Sequence, residues 1–326
     1  PLVLAGQQPI EQRVVRHEAD AVLGAVRQHL RLGRAIQQAE LVLDGDEARQ
    51  AARSCLLELI GAEVRAADLA HLAGGLELAE SAERGALRFR LYRTGNPCAL
   101  SDVLPILEHM GLKAITEEPF EIRPQDDVQS VWMQHFGVTS LLGDFDIAGE
   151  HCRFEEAFAH IWAGRMESDG FNRLVVAAGL DWRQITVLRL YAKAMRQAGS
   201  AYSQAYMEDA LAHHPAIAGR LATLFEARFD PAQVNRAAAE TERRVAEVGQ
   251  ELDQVESLDE DRILRGFLRL IEKSLRTNYF QRQADGSPKP YLAVKLSSRE
   301  IDLFPLPRPL CEIYVYSPRM EGVHLR

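Results

Sequence analysis

The sequence has 326 residues, enough for two or three domains of ordinary size. Apolar residues make up 47% and charged residues 26%, with a net charge of −9. A sizeable core can be buried, the acidic balance argues against a nucleic-acid surface, and no apolar run approaches the roughly 18 residues of a membrane span.

Residues 1–86 are rich in Ala, Leu and Arg. "EADAVLGAVRQHLRLG" (18–33) and "DEARQAARSCLLELIG" (46–61) space their apolar residues as helices do. The first turn signal is "LAGGLE" at 72–77. The expectation for 1–86 is a helical segment whose role the residues do not state.

Residues 87–146 change texture. "LRFRLYR" (87–93) alternates apolar with basic, which predicts a half-buried strand. "TGNP" marks a turn. "CALSDVLPILEHMGLKAI" (98–115) carries Leu100, Val103, Leu104, Leu107 and Met110 at helical spacing, with Gly111 placed to end the helix. "PFEIRP" (119–124) and "SVWMQHFGV" (130–138) read as two strands joined by the turn "QDDVQ". Strand, helix, strand, strand fits part of a small α+β sandwich.

Residues 147–277 read as a helical domain. Phe154, Phe158, Ile161 and Trp162 form one stripe over 153–166. A Ser-Asp start and Gly179 bound the next helix, and Asp181 is placed to cap the one after. That helix puts Ile185, Leu188, Tyr191 and Met195 on one face. Two shorter helices follow at 203–213 and 216–229, the second started by Pro215. Val234, Ala238, Thr241, Val245, Val248, Leu252 and Val255 then step by fours and threes, a heptad seam. A further helix is predicted over 257–277. Its short link to the seam helix favours an intramolecular antiparallel hairpin, 231–276, over a dimeric coiled coil.

Residues 278–326 turn to strands again, "PYLAVKLSS" (290–298) and "EIYVYSPRMEGVHLR" (312–326), separated by the extended "PLPRP". The chain does not begin with Met, and the expectation is a piece of a longer chain.

Catalytic signatures are missing. There is no GxGxxG and no GxxxxGK[ST] to cradle a phosphate. Cys55, Cys98, Cys152 and Cys311 are scattered, with no CxxC, as expected for a reducing compartment. His151, Cys152 and His160 have the wrong spacing to ligate a metal from one helix face. His213-His214 suits a helix end, where positive charge meets the dipole. The carboxylates of 240–261 interleave with Arg243, Arg244 and Arg262, the pattern of a solvated face. Trp132, Trp162 and Trp182 read as core or interface anchors. No catalytic residue, no cofactor-binding residue and no metal ligand is nominated.

Five segments in order carry a resemblance. They are "LYRTGNPCALSDVLPILEHMGLKAITEEPFEIRP", "FEEAFAHIWAGRMESDGFNRLVVAAGLDWRQITVLRLYAKAMRQ", "DEDRILRGFLRLIEKSLRTNYFQ", "PYLAVKLSSREI" and "EIYVYSPRMEGVHLR". Over 87–326 the chain resembles the large bacterial NAD-specific glutamate dehydrogenases. The implied fold is α+β and mostly helical. Residues 1–86 would be a helical segment, 87–146 an ACT-like regulatory module, 147–277 a helical domain with the hairpin, and 278–326 the start of the catalytic domain. In that family the catalytic Lys and Asp and the NAD-binding domain lie further on. The resemblance therefore implies NAD for the full-length enzyme and none for this fragment, which is expected to be inactive alone.

The ACT resemblance nominates an effector loop at Thr94, Gly95, Asn96 and Asp102, for an amino acid. Cys98 stands where Gly is usual, which costs close backbone approach. The implied partners are the remainder of the chain and further copies of it, with no nucleic acid and no membrane, in the cytoplasm. The implied role is to position or gate the catalytic domain, with 231–276 relaying the module's state to 312–326. The competing readings are a stand-alone amino-acid-sensing module and an oligomerisation scaffold.

Overall fold

The computed structural model describes residues 76–80, 87–122, 131–143, 147–233 and 237–326. The helices expected at 18–33 and 46–61 and the turn "QDDVQ" lie outside the described residues. The architecture is α+β and mostly helical, with eight helices and two four-stranded sheets among the described residues. The chain divides into two compact units.

The first unit holds most of a sheet ordered β1-β2-β4-β3. Its strands are β1 (Leu76–Glu80), β2 (Leu87–Thr94), β3 (Leu112–Ile122) and β4 (Val131–Ser140). β2 lies antiparallel to both β1 and β4. Phe89 faces Phe136 across the β2–β4 pair, with ring centroids 6.0 Å apart and both side chains fully buried. Cross-strand aromatic pairs of this kind fix register.

Two sequence expectations need correction here. Residues 76–80, expected within a helical segment, form β1. "LELAE" is built from helix formers, so the ladder to β2 overrides its local preference. The strand expected at 119–124 is the second half of β3, which starts earlier, directly after the helix α1 (Leu100–His109) that Gly111 ends as its place predicted. Gly111 takes φ +84° and releases the chain into β3, which begins at Leu112.

The second unit contains α1 and everything from residue 140 onward. It includes α2 (Ile147–Trp162), a 3-10 turn at Gly170–Arg173, α3 (Leu174–Ala177), α4 (Trp182–Gln197), α5 (Gln204–His213) and α6 (Pro215–Phe229). α7 (Ala237–Leu252), α8 (Leu258–Glu272) and the antiparallel sheet β5-β6-β7-β8 complete it. The strands are β5 (Ser274–Thr277), β6 (Leu292–Leu296), β7 (Glu312–Ser317) and β8 (Met320–Leu325).

α4 is the axis of this unit. Asp181 caps it with a full capping box, accepting from the Arg183 and Gln184 N–H groups while Gln184 returns a bond to the Asp181 N–H. Nine of its residues are buried, among them Ile185, Leu188, Tyr191 and Met195. A helix buried on most of its faces must be surrounded. α4 touches α2, α3, α5, α6, α8, β6 and β7. α8 comes close because Gly266 faces Met195, where a Cβ would stand only 2.9 Å from the sulfur.

The seam helix α7 has a different main partner from the one expected. It lies chiefly along α6 and touches α8 over a shorter stretch. Arg220 of α6 reaches Glu251 at 2.6 Å and Glu247 at 3.4 Å. Val248 and Leu252 of the seam are buried, while Val234 lies outside the described residues. The helix expected to reach 277 ends at Glu272, and residues 274–277 form β5 instead. β5 pairs with β6, whose partner is β7. "EIYVYSPRMEGVHLR" is thus a hairpin, β7–β8, paired to "PYLAVKLSS".

Gly111→Ala should lower stability by about 1–2 kcal/mol, because the left-handed backbone strains any Cβ and Leu142 Cδ1 stands 2.7 Å from its place. Urea denaturation of the two chains measures this; equal midpoints would refute it.

Candidate functional site

The nominated effector loop spans a strand end, a turn and a helix start. Thr94 ends β2, Gly95 takes φ +88°, and Gly95 and Asn96 are exposed. Asp102 sits in the first turn of α1, exposed, with Ser101 Oγ 3.3 Å from its carboxylate. Gln134 of β4 holds Cys98: its Oε1 accepts from the Cys98 N–H at 2.7 Å and its Nε2 donates to the Cys98 carbonyl at 3.0 Å. Cys98 and Gln134 are both buried. The backbone at Cys98 is therefore already satisfied by a side-chain amide.

A denser constellation lies in the second unit, where the helices meet the C-terminal sheet. Tyr191 Oη and Ser274 Oγ are 2.7 Å apart and buried, and Ser274 Oγ also lies 2.7 Å from the Leu270 carbonyl. Arg228 donates to the Ser274 carbonyl at 3.2 Å. Tyr279 donates its hydroxyl to Glu226 at 2.8 Å, and Arg183 donates to the Tyr279 carbonyl. Lys193 pairs with Glu167 at 3.2 Å and with Glu321 of β8 at 3.5 Å. Burial raises the pKa of Tyr191 and of Tyr279, the latter helped by the Glu226 charge, so both hydroxyls stay protonated.

Under this joint lies a buried ion pair. Arg189, in the middle of α4, is fully buried. Its Nε and Nη2 each donate to an Asp169 carboxylate oxygen at 2.7 Å, and Nη2 also reaches Asn172 Oδ1 at 2.6 Å. Burial pulls the guanidinium toward neutrality, but the Asp169 charge and hydrogen bonds outweigh it and the pKa is raised. Asp169 also caps the 3-10 turn by accepting from the Phe171 N–H. Gly170 leaves room for this cluster, since a Cβ there would stand 2.5 Å from Glu208.

The histidine pair at 213–214 does more than meet a helix dipole. His213 Nδ1 lies 2.8 Å from one Glu260 oxygen and His214 Nε2 lies 2.9 Å from the other. Glu260 sits in the first turn of α8, so the pair ties the α5–α6 corner to α8. Among the described residues, no group of His, Cys, Asp and Glu could hold a metal ion. His160 stacks on Trp182 with centroids 3.8 Å apart, and Cys152 is exposed, its Sγ 3.4 Å from His151 Nε2.

Sequence reasoning missed Arg189, Ser274 and Tyr279. One signal was available for the first. Arg189 interrupts the run Val187-Leu188-Arg189-Leu190-Tyr191, and a charge inside an apolar run needs a buried partner. Its partner Asp169, 20 residues away, carries no such mark.

Comparison with known proteins places these contacts. The family model for the glutamate dehydrogenase ACT3 domain matches residues 75–149, and that for helical motif 3 matches 166–231. The model for the bacterial NAD-glutamate dehydrogenase catalytic domain matches 247–326. The chain belongs to the bacterial NAD-specific glutamate dehydrogenases. It is 43% identical over 259 residues to the NAD-specific glutamate dehydrogenase of Mycobacterium tuberculosis, covering 77% of this chain and 16% of that one. Identity is 41% over 247 residues with that of Halomonas elongata, and 42% over 245 residues with that of Pseudomonas aeruginosa. The alignments take in 75% and 74% of this chain and 15% of each relative. The chain thus spans about 15% of the length of the glutamate dehydrogenases it matches.

In glutamate dehydrogenase terms, the joint links helical motif 3 to the matched part of the catalytic domain. Tyr191, Arg183, Glu226 and Arg228 come from the first; Ser274 and Tyr279 come from the second. A dinucleotide fold offers parallel strands and a Gly-rich turn opening a helix, whereas β5–β8 is antiparallel throughout. No step of hydride transfer is assigned to these residues.

Two outcomes follow from the geometry. Asp169→Ala leaves the Arg189 charge buried and unpaired, and should cost about 3–5 kcal/mol in urea denaturation; a loss below about 1 kcal/mol would show the pair to be incidental. Glu260 is held below its ordinary pKa of 4.5, first by the hydrogen bond from His213. That contribution is present above the unfolded value and is lost as pH falls through the lowered one. Stability should therefore decline below pH 4.5, and decline less steeply in Glu260→Gln. Parallel slopes for the two chains would exclude the clamp.

Proposed function

We propose that this chain is the regulatory and helical region of an NAD-dependent glutamate dehydrogenase, together with the opening of its catalytic domain. The whole enzyme would convert L-glutamate, NAD and water to 2-oxoglutarate, ammonia and NADH, in the cytoplasm and as a homo-oligomer. The fragment's part is to position the catalytic domain. The observation that carries this reading is the joint itself. Ser274 and Tyr279 are fixed by four side chains of the helical motif, so the first strands of the catalytic region cannot move independently of the helices. Coupling of this kind needs a packed element shared by both parts. α4 is that element, because it touches α8 as well as β6 and β7.

The same proposal includes an amino-acid effector at the loop of Thr94, Gly95, Asn96 and Asp102. Cys98 offers it nothing, since Gln134 already holds that backbone.

In the full-length enzyme, Ser274→Ala should lower kcat roughly tenfold while leaving NAD affinity unchanged, because misplacement remote from the chemistry costs orientation rather than binding. Steady-state kinetics and NAD titration read the two separately. An unchanged kcat would sink the positioning role. Supplied with glutamate and NAD, the 326-residue chain alone should form no NADH.

A further inference from the structure

A cavity of about 50 Å³ opens in the second unit, lined by residues from α4, from the segment after α2 and from the ends of β6 and β7. It has room for more than a single water, which needs roughly 10–15 Å³. Its chemistry is one-sided. Arg165, Arg183 and Lys289 line it, and no Asp or Glu does. Trp182, Tyr279 and Tyr291 add aromatic walls. In a chain of net charge −9, three cations around one cavity need a reason.

The usual reason, pairing with carboxylates, does not apply. Among the described residues none of the three forms an ion pair. The carboxylates whose charge acts on Arg183 are committed elsewhere. Asp181 caps α4, and Glu226 accepts from Gln184 and Tyr279. Arg282 adds a further positive charge beside Arg183.

Two of the cations are also held in place. Arg183 stacks over the Tyr279 ring, 4.2 Å from its centroid, and donates to the Tyr279 carbonyl. Arg165 donates from Nε to His160 Nδ1 at 3.2 Å. His160 is stacked on Trp182, and burial, followed by the Arg165 charge, drives its pKa down to about 4. It stays neutral and accepts, which aims Arg165 without adding charge. Cations held in place around one cavity, with Arg183 half-buried and Arg165 exposed at its rim, suit an anionic group.

We infer that this cavity binds a small anionic group, a carboxylate or a phosphate, between Arg165, Arg183 and Lys289. The site would bridge the helical motif and the catalytic-domain segment, because Arg183 belongs to the first and Lys289 to the second. It does not depend on the positioning role proposed above, since a bound anion is read by binding alone.

Of the three tryptophans, Trp182 alone lines the cavity. Trp132→Phe with Trp162→Phe therefore makes the 326-residue chain report from the site. Its fluorescence is titrated with sodium phosphate and with sodium acetate, chloride holding ionic strength constant. A saturable change with a midpoint of about 1–10 mM is expected for at least one of the two. Saturation by phosphate alone identifies a phosphate site, and by acetate alone a carboxylate site. Lys289→Gln and Arg165→Gln should each weaken binding roughly tenfold or more, as expected for loss of one charge-assisted bond; far-UV circular dichroism confirms that they fold. No saturable response to either anion up to about 50 mM, or a response unchanged in both folded variants, overturns the inference.

Discussion

The Arg189–Asp169 pair is the constraint on which the second unit is built. A fully buried guanidinium is tolerated only if its charge and its donors are met. Asp169 meets the charge with two parallel bonds and caps the 3-10 turn at the same time, while Nη1 keeps no partner among the described residues. The turn is thereby fixed relative to α4, and α4 in turn is packed on five helices and two strands. Ion pairs of this kind rarely add stability over an apolar core, so what the pair supplies is a unique arrangement. Only one arrangement lets Arg189 reach Asp169.

Much of the helical organisation was legible in the sequence because its signals are local. Asp181, Pro215 and Ser257 sit where helix starts need them, and each heads a helix. The stripe Ile185, Leu188, Tyr191 and Met195 is buried as its spacing requires. Three elements were read wrongly, and each failure has the same cause. β1, the first half of β3 and β5 are strands only because another strand pairs with them. Their own residues, such as "LELAE" and "SLRT", favour helix or state no preference. Ladder bonds to another strand leave no periodicity in the segment itself.

The site was less legible than the fold. The loop at Thr94, Gly95, Asn96 and Asp102 was visible only through resemblance, and its positive φ at Gly95 agrees with the turn read there. The joint left almost no trace. Ser274 and Tyr279 are ordinary residues whose meaning comes from Tyr191 and Glu226, 83 and 53 positions away. His213 and His214 were noticed, yet their partner Glu260 stood among many carboxylates with nothing to single it out.

α8 runs into β5 through one residue, Lys273. That residue is itself pinned: its N–H bonds to Arg269, its carbonyl accepts from Ser297, and its ammonium meets Glu300 at 2.7 Å. A hinge needs free dihedrals, and this junction has none to spare. Helix and strand are therefore joined with little slack at Lys273, and the first irregularity comes only inside the strand, where β5 shifts register against β6 between Ser274 and Arg276.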